Sequence, residues 1–220
     1  MAKLPDRYAE ERRQEILDAA RRVFVDKGYD NATMNDIAAA ADVSAGSIYR
    51  YFENKRDLIA AASITCIDED LQVWSTDLPE GITPGEAFLA LGQQTRADFA
   101  AEGRNDECVL RLESYLACYR DGELRDRILP KMDESIRLLA DFVRAAQDSG
   151  EFDEAIDADQ FARFLHVIGA GTGALSVLYG ADFDTDAIWD QLIRMASLSF
   201  TPDFRSRVQN MLQVTGEATS

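Results

Sequence analysis

At 220 residues, with 46% hydrophobic and 29% charged residues, the chain has the make-up of one large or two modest folded domains, which excludes a disordered or fibrous protein. Its net charge of −17 argues against a nucleic-acid partner only until it is divided: residues 1–60 hold 10 Lys and Arg against 11 Asp and Glu, whereas residues 61–220 hold 13 against 29. Three cysteines without close spacing (Cys66, Cys108, Cys118) and a single histidine, His166, exclude a disulfide framework and a zinc site, so free thiols, no metal and no cofactor are expected.

Almost every segment has helical period, and the fold class predicted is all-α. Ile16, Leu17, Ala20, Val23 and Phe24 share one face of a first helix, with Gly28 placed to end it. Thr33 is set to cap a second helix by accepting from the N–H of Asp36, whose carboxylate reaches back in a variant capping box; Ile37, Ala38 and Ala41 follow. Asp42-Val43 makes a brief turn, and Ser44 caps a very short third helix, Ala45 to Tyr51, with Ile48 and Phe52 inward. From Lys55, behind a cap at Asn54, a longer helix runs through Leu58, Ile59, Ile64, Ile67 and Leu71.

A loop over 78–85 leads to helices at about 85–101, 106–120 and 123–149, the last expected to be kinked or interrupted at Pro130. Gly150 stops that run, and helices at about 157–180 and 185–200 complete the pattern. Both carry apolar residues around much of their circumference, more than one contact needs, which points to a second subunit as one neighbour.

The stretch Thr33-Met-Asn-Asp-Ile-Ala-Ala-Ala-Ala-Asp-Val-Ser-Ala-Gly-Ser-Ile-Tyr-Arg-Tyr-Phe-Glu-Asn-Lys55 resembles the DNA-binding signature of the tetracycline-repressor (TetR) family. The match takes in Phe24, Gly28, Ile37-Ala38, Val43-Ser44, Gly46, Tyr49, Phe52, Lys55 and Leu58, in order and at the family's spacing. The resemblance implies a three-helix helix-turn-helix domain over residues 1–56 and a larger helical ligand-binding and dimerisation domain over 57–215. Small Ala45 and Gly46 let the N-terminal end of the third helix come close to the major groove, where Ser47, assisted by Arg50, is the candidate for a base edge. Thr33, Ser44, Tyr49, Tyr51 and Lys55 match family positions that touch phosphates or sugars. Each also has a plain structural reading: Thr33 and Ser44 are needed as caps in any case, and Tyr49 can pack on the first helix.

Further implications are a homodimer formed through the last two main helices and double-stranded DNA with a pseudo-palindromic operator. The protein is then a transcriptional repressor released by an unidentified small-molecule effector. Trp74, Phe88, Phe99, Leu112, Tyr115, Tyr119 and Phe142 are candidate pocket lining, with ordinary core as the competing reading. Glu113 reads as an exposed carboxylate, attraction for a cationic ligand being the alternative. Gly169-Ala-Gly-Thr-Gly-Ala174 satisfies a dinucleotide-binding pattern but lies within a helical stretch, so close helix packing is the reading kept. His166 reads as a satisfied core or interface residue.

An enzyme would need a catalytic constellation, and none is visible. A DNA-binding module working through a protein partner, without a small ligand, stays open. With no apolar leader and no uninterrupted run of about 18 apolar residues, a cytoplasmic protein without membrane contact is expected.

Overall fold

The computed structural model describes residues 6–74, 81–101 and 104–217. These form ten α-helices: α1 Asp6–Lys27, α2 Met34–Ala40, α3 Ala45–Ile48, α4 Lys55–Trp74, α5 Pro84–Ala100, α6 Arg104–Arg120, α7 Gly122–Asp148, α8 Ala158–Tyr179, α9 Thr185–Ala196 and α10 Pro202–Glu217. No strand is present among the described residues beyond an isolated bridge between Phe152 and Phe200.

The short helices are set by their ends. Gly28 follows α1 with φ +76°, and its N–H donates to the Phe24 carbonyl at 3.0 Å. Thr33 and Asp36 form the expected reciprocal capping box at the start of α2. At the other end, Asp42 takes φ +53° while its N–H donates to Ala39 O and the Val43 N–H donates to Ala38 O, a Schellman closure with aspartate in the left-handed position. Ser44 caps α3 as expected. The α-helix there ends at Ile48 rather than Tyr51, because the Arg50 and Tyr51 N–H groups donate three residues back, to Ser47 and Ile48, in a tighter turn.

Pro130 does not interrupt α7, which is continuous from Gly122 to Asp148. Proline removes one N–H from an interior turn, and the 27-residue helix runs on through it. The glycine run lies inside α8, where space for a Cβ is open at both Gly169 and Gly171, so no neighbouring element of this chain accounts for them. The α10 helix is an element the apolar periodicity did not reveal.

The chain divides into two compact units, Met1–Asp70 with Asn105–Asp133, and Leu71–Arg104 with Glu134–Ser220. Each gathers stretches far apart in sequence. In the first, Ile16, Leu17 and Phe24 of α1, Ile37 of α2, Ile48, Leu58 and Ile59 are fully buried. Each such side chain is worth about 1.5–3 kcal/mol of transfer free energy.

The second unit has an aromatic core. Phe88, Phe152, Phe200 and Phe204 form a chain of edge-on pairs, with ring centroids 5.1 Å apart for Phe88–Phe152, 5.0 Å for Phe152–Phe200 and 5.1 Å for Phe200–Phe204. Beside it Glu151, only 4% exposed, accepts from the Gly85 N–H at 2.8 Å and from Ser149 Oγ at 3.0 Å, and pairs with Arg207 of α10. Burial alone would raise its pKa, but the hydrogen bonds from Thr83, Gly85, Ser149 and Arg207 together bring it below the usual glutamate value. A Cβ at Gly85 would stand 2.7 Å from Phe204 Cζ and 2.8 Å from Glu151 Oε2, so only glycine fits there.

Candidate nucleic-acid interface and neighbouring pocket

The N-terminal end of α3 faces solvent. Gly46 and Arg50 are exposed, Tyr49 is 56% exposed, and Ala45, Ser47 and Tyr51 are partly so. Ser44 Oγ accepts from the Ser47 N–H at 3.2 Å and lies 2.8 Å from Ser47 Oγ, so one hydroxyl donates to the other and the pair is held in place. Arg50 has no ion pair among the described residues. Thr33, also exposed, spends its hydroxyl within the α2 cap: it donates to Asp36 Oδ2 at 2.8 Å and accepts from the Asp36 N–H at 3.1 Å. Asp36 is further held by Lys27 Nζ at 2.6 Å. The hydrogen bond from Lys27 and those from Thr33 lower its pKa from 3.8 to about 2.

Lys55 is placed otherwise than a phosphate contact requires. Its ammonium turns inward and donates to the carbonyls of Tyr29 (2.6 Å), Ala32 (2.9 Å) and Asp30 (3.1 Å), and stands 4.6 Å from the centre of the Tyr29 ring. All three N–H groups are thereby used to close the loop between α1 and α2. Sequence reasoning also missed Arg13, whose guanidinium lies 5.0 Å from the centre of the Phe52 ring just after α3.

Glu113 of α6 is neither an exposed carboxylate nor a ligand for a cation. It accepts from the Tyr29 N–H at 2.8 Å and fills the space left by Gly28, where a Cβ would be 3.3 Å from Oε1. The corner is reinforced by ion pairs Arg120–Asp30 at 2.5 Å, Arg56–Asp121 at 2.5 Å and Arg127–Asp57 at 2.5 Å. Nothing local to residues 28–30 predicts these partners, which lie 84 residues or more away for Tyr29 and Asp30.

Within the same unit, α4, α6 and α7 enclose a pocket of about 350 Å³, part of it open to solvent. Its polar lining is Ser63, Cys66, Arg111, Ser114, Tyr115 and Cys118. Ile67, Leu110, Ile128 and Met132 supply the apolar walls. Burial pushes the Cys66 thiol up to about 11.

Of the expected pocket residues, Tyr115 alone lines this space. Phe88 and Phe142 belong to the aromatic core of the other unit, and Phe99 packs on Trp189 with centroids 5.3 Å apart. Leu112 is half-buried, and Tyr119 is 89% exposed. The Trp74 side chain lies outside the described residues. Core and pocket share apolar character, so size and hydrophobicity do not separate these residues in the sequence. His166, half-buried on α8, is engaged with protein neighbours.

In the second unit α8 and α9 carry a bare apolar surface. Phe164, Val167 (64% exposed), Leu175 and Leu178 (73% exposed) follow one another along α8, and Ile188 and Met195 along α9. The stretch Ala158–Asp182 has the length and hydropathy of a membrane-crossing helix, and only 22% of its apolar window is buried within the chain.

Residues 16–62 match the family of bacterial regulatory proteins called tetR, and residues 118–198 match the tetracyclin repressor-like C-terminal domain. The chain is 29% identical over 143 residues to the fatty acid metabolism regulator protein of Bacillus subtilis (strain 168), covering 65% of this chain and 72% of that one. To the acrEF/envCD operon repressor of Escherichia coli (strain K12) it is 25% identical over 235 residues, covering 99% and 98%. In fold it is similar to a TetR-family transcriptional regulator from Rhodococcus sp., with TM-score 0.72, 19% identity and coverage of 86% of this chain and 98% of that one. It is likewise similar to FadR from Bacillus subtilis in complex with stearoyl-CoA, with TM-score 0.69, 22% identity and coverage of 83% and 96%. With an exposed, doubly capped helix-turn-helix and family matches at both ends of the chain, the protein belongs to the TetR family of bacterial regulatory proteins and is a DNA-binding transcriptional regulator.

Proposed function

We propose that the protein is a homodimeric cytoplasmic repressor, with no catalytic activity, that holds a pseudo-palindromic operator and leaves it when a small molecule binds. Residues 1–56 are the DNA-binding head, and residues 57–215 serve ligand binding and dimerisation. The observation that carries the reading is the bare N-terminal end of α3, where Gly46, Tyr49 and the unpaired Arg50 stand beside the Ser44–Ser47 hydroxyl pair. Ser47 and Arg50 read base edges; Thr33, Ser44, Tyr49 and Tyr51, with the small Ala45 and Gly46, set the backbone approach. Lys55 acts on DNA indirectly, through the loop it closes.

The effector site in this reading is the pocket between α4, α6 and α7. Support comes from the double duty of two helices: α4 carries Ser63 and Cys66 at the pocket and Lys55 at the head, and α6 carries Ser114 and Tyr115 at the pocket and Glu113 at the α1–α2 corner. A ligand that fits one arrangement of these helices better than another shifts the head with them. Repression and ligand response are also supported by the relatives, one named an operon repressor and one a neighbour holding stearoyl-CoA.

The test is selection of bound sequences from a random duplex library with the full chain, followed by titration of the winner at several salt concentrations. An inverted repeat bound by a dimer, with affinity falling as salt rises, is expected, and Ser47→Ala should change the preferred base at one position of each half-site. Failure of well-folded protein to enrich any sequence overturns the reading.

A further inference from the structure

We infer that the pocket between α4, α6 and α7 takes a compact, uncharged, hydrocarbon-rich molecule. This deepens the effector reading above and rests on it. The two serines at the pocket already have partners. Ser63 Oγ has the Ile59 carbonyl at 2.7 Å, Ser114 Oγ has the Leu110 carbonyl at 2.8 Å, and the two oxygens are 2.6 Å apart. Two hydroxyl protons thus face three contacts, and none is left to donate to a ligand.

Cys66 Sγ accepts from Arg21 Nη2 at 3.1 Å, and the same guanidinium is held by Glu69. Arg111 and Tyr115 are likewise engaged within the protein. What remains for a ligand to meet is Ile67, Leu110, Ile128 and Met132. A charged group entering here would shed its water against a wall that is almost wholly apolar.

Size argues in the same direction. The free space is small and partly open to solvent, which suits a slender molecule rather than a bulky one. Among the residues that line it, Arg111 is the single cation set against the several charges of a coenzyme A nucleotide.

The test uses the full chain, its selected operator and three probes with the same alkyl chain: 1-octanol, octanoate and octanoyl-coenzyme A. Expected is a saturable rise in Tm and a saturable loss of bound operator with 1-octanol, with at least tenfold weaker effects from octanoate and none from the thioester. Cys118→Trp, which fills the pocket, should abolish the octanol response while the variant still binds operator; should it not fold, Ile128→Trp is the second filling variant. Equal or tighter response to octanoate or the thioester overturns the ligand class. An octanol response untouched by a folded filling variant overturns the location. No response to any probe by protein that binds its operator overturns the inference and leaves the DNA-binding reading standing, whereas absence of operator binding before any probe is added strikes that reading instead.

Discussion

Asp36 joins three functions in one carboxylate: it closes the α2 capping box, holds the Thr33 hydroxyl and pairs with Lys27. Because its folded pKa of about 2 is below the ordinary 3.8, the stability it contributes is fully present above about pH 5 and is lost as pH falls toward 2. Asp36→Asn should therefore melt below the wild type at pH 6, and the gap should narrow steadily between about pH 4 and pH 2, as thermal melts across that range would record. Lys55 invites a second measurement. Lys55→Met removes three donated hydrogen bonds at a half-buried site and should lower unfolding stability in urea by about 1–2 kcal/mol. The slope of operator affinity against salt should stay as it was, because the ammonium it removes is already bound to three carbonyls of the α1–α2 loop; a slope reduced by about one would restore Lys55 to the DNA.

At the scale of elements, the ends of helices were legible and their partners were not. The caps at Thr33 and Ser44 and the stop at Gly28 depend on atoms within four residues, so the chain alone specifies them. Pro130 lies within α7 without ending it, because one lost N–H does not outweigh the rest of a 27-residue helix. The role of Gly85 is of the opposite kind, since its neighbours Glu151 and Phe204 come from the turn after α7 and from α10. Gly85→Ala should overpack this junction and reduce stability by about 1–3 kcal/mol in chemical denaturation, with operator specificity unaffected. A neutral result there would mean that the Phe204 ring and the Glu151 carboxylate yield more easily than their other contacts indicate.

For the whole molecule, the exposed apolar stripe of Phe164, Val167, Leu175 and Leu178 on α8, with Ile188 and Met195 on α9, is the face through which the proposed dimer would form. Leu178→Asp combined with Val167→Glu should convert the dimer to monomer in light scattering and weaken operator binding by a factor of ten or more, because two half-sites are then no longer held by one particle. Unchanged mass would remove this face from the interface.

The sequence by itself determined the all-α class, the helix-turn-helix with its caps, and the concentration of acid outside the head, since periodicity, capping and charge are properties of neighbours along the chain. Tertiary structure decided which aromatic residues are core, that Glu113 reaches Tyr29, that Lys55 turns inward, and that Ser63, Cys66, Ser114 and Cys118 share a pocket. Those outcomes depend on α4, α6 and α7 coming together across some fifty residues of intervening chain, and side-chain type alone carries no record of which distant surface it will meet.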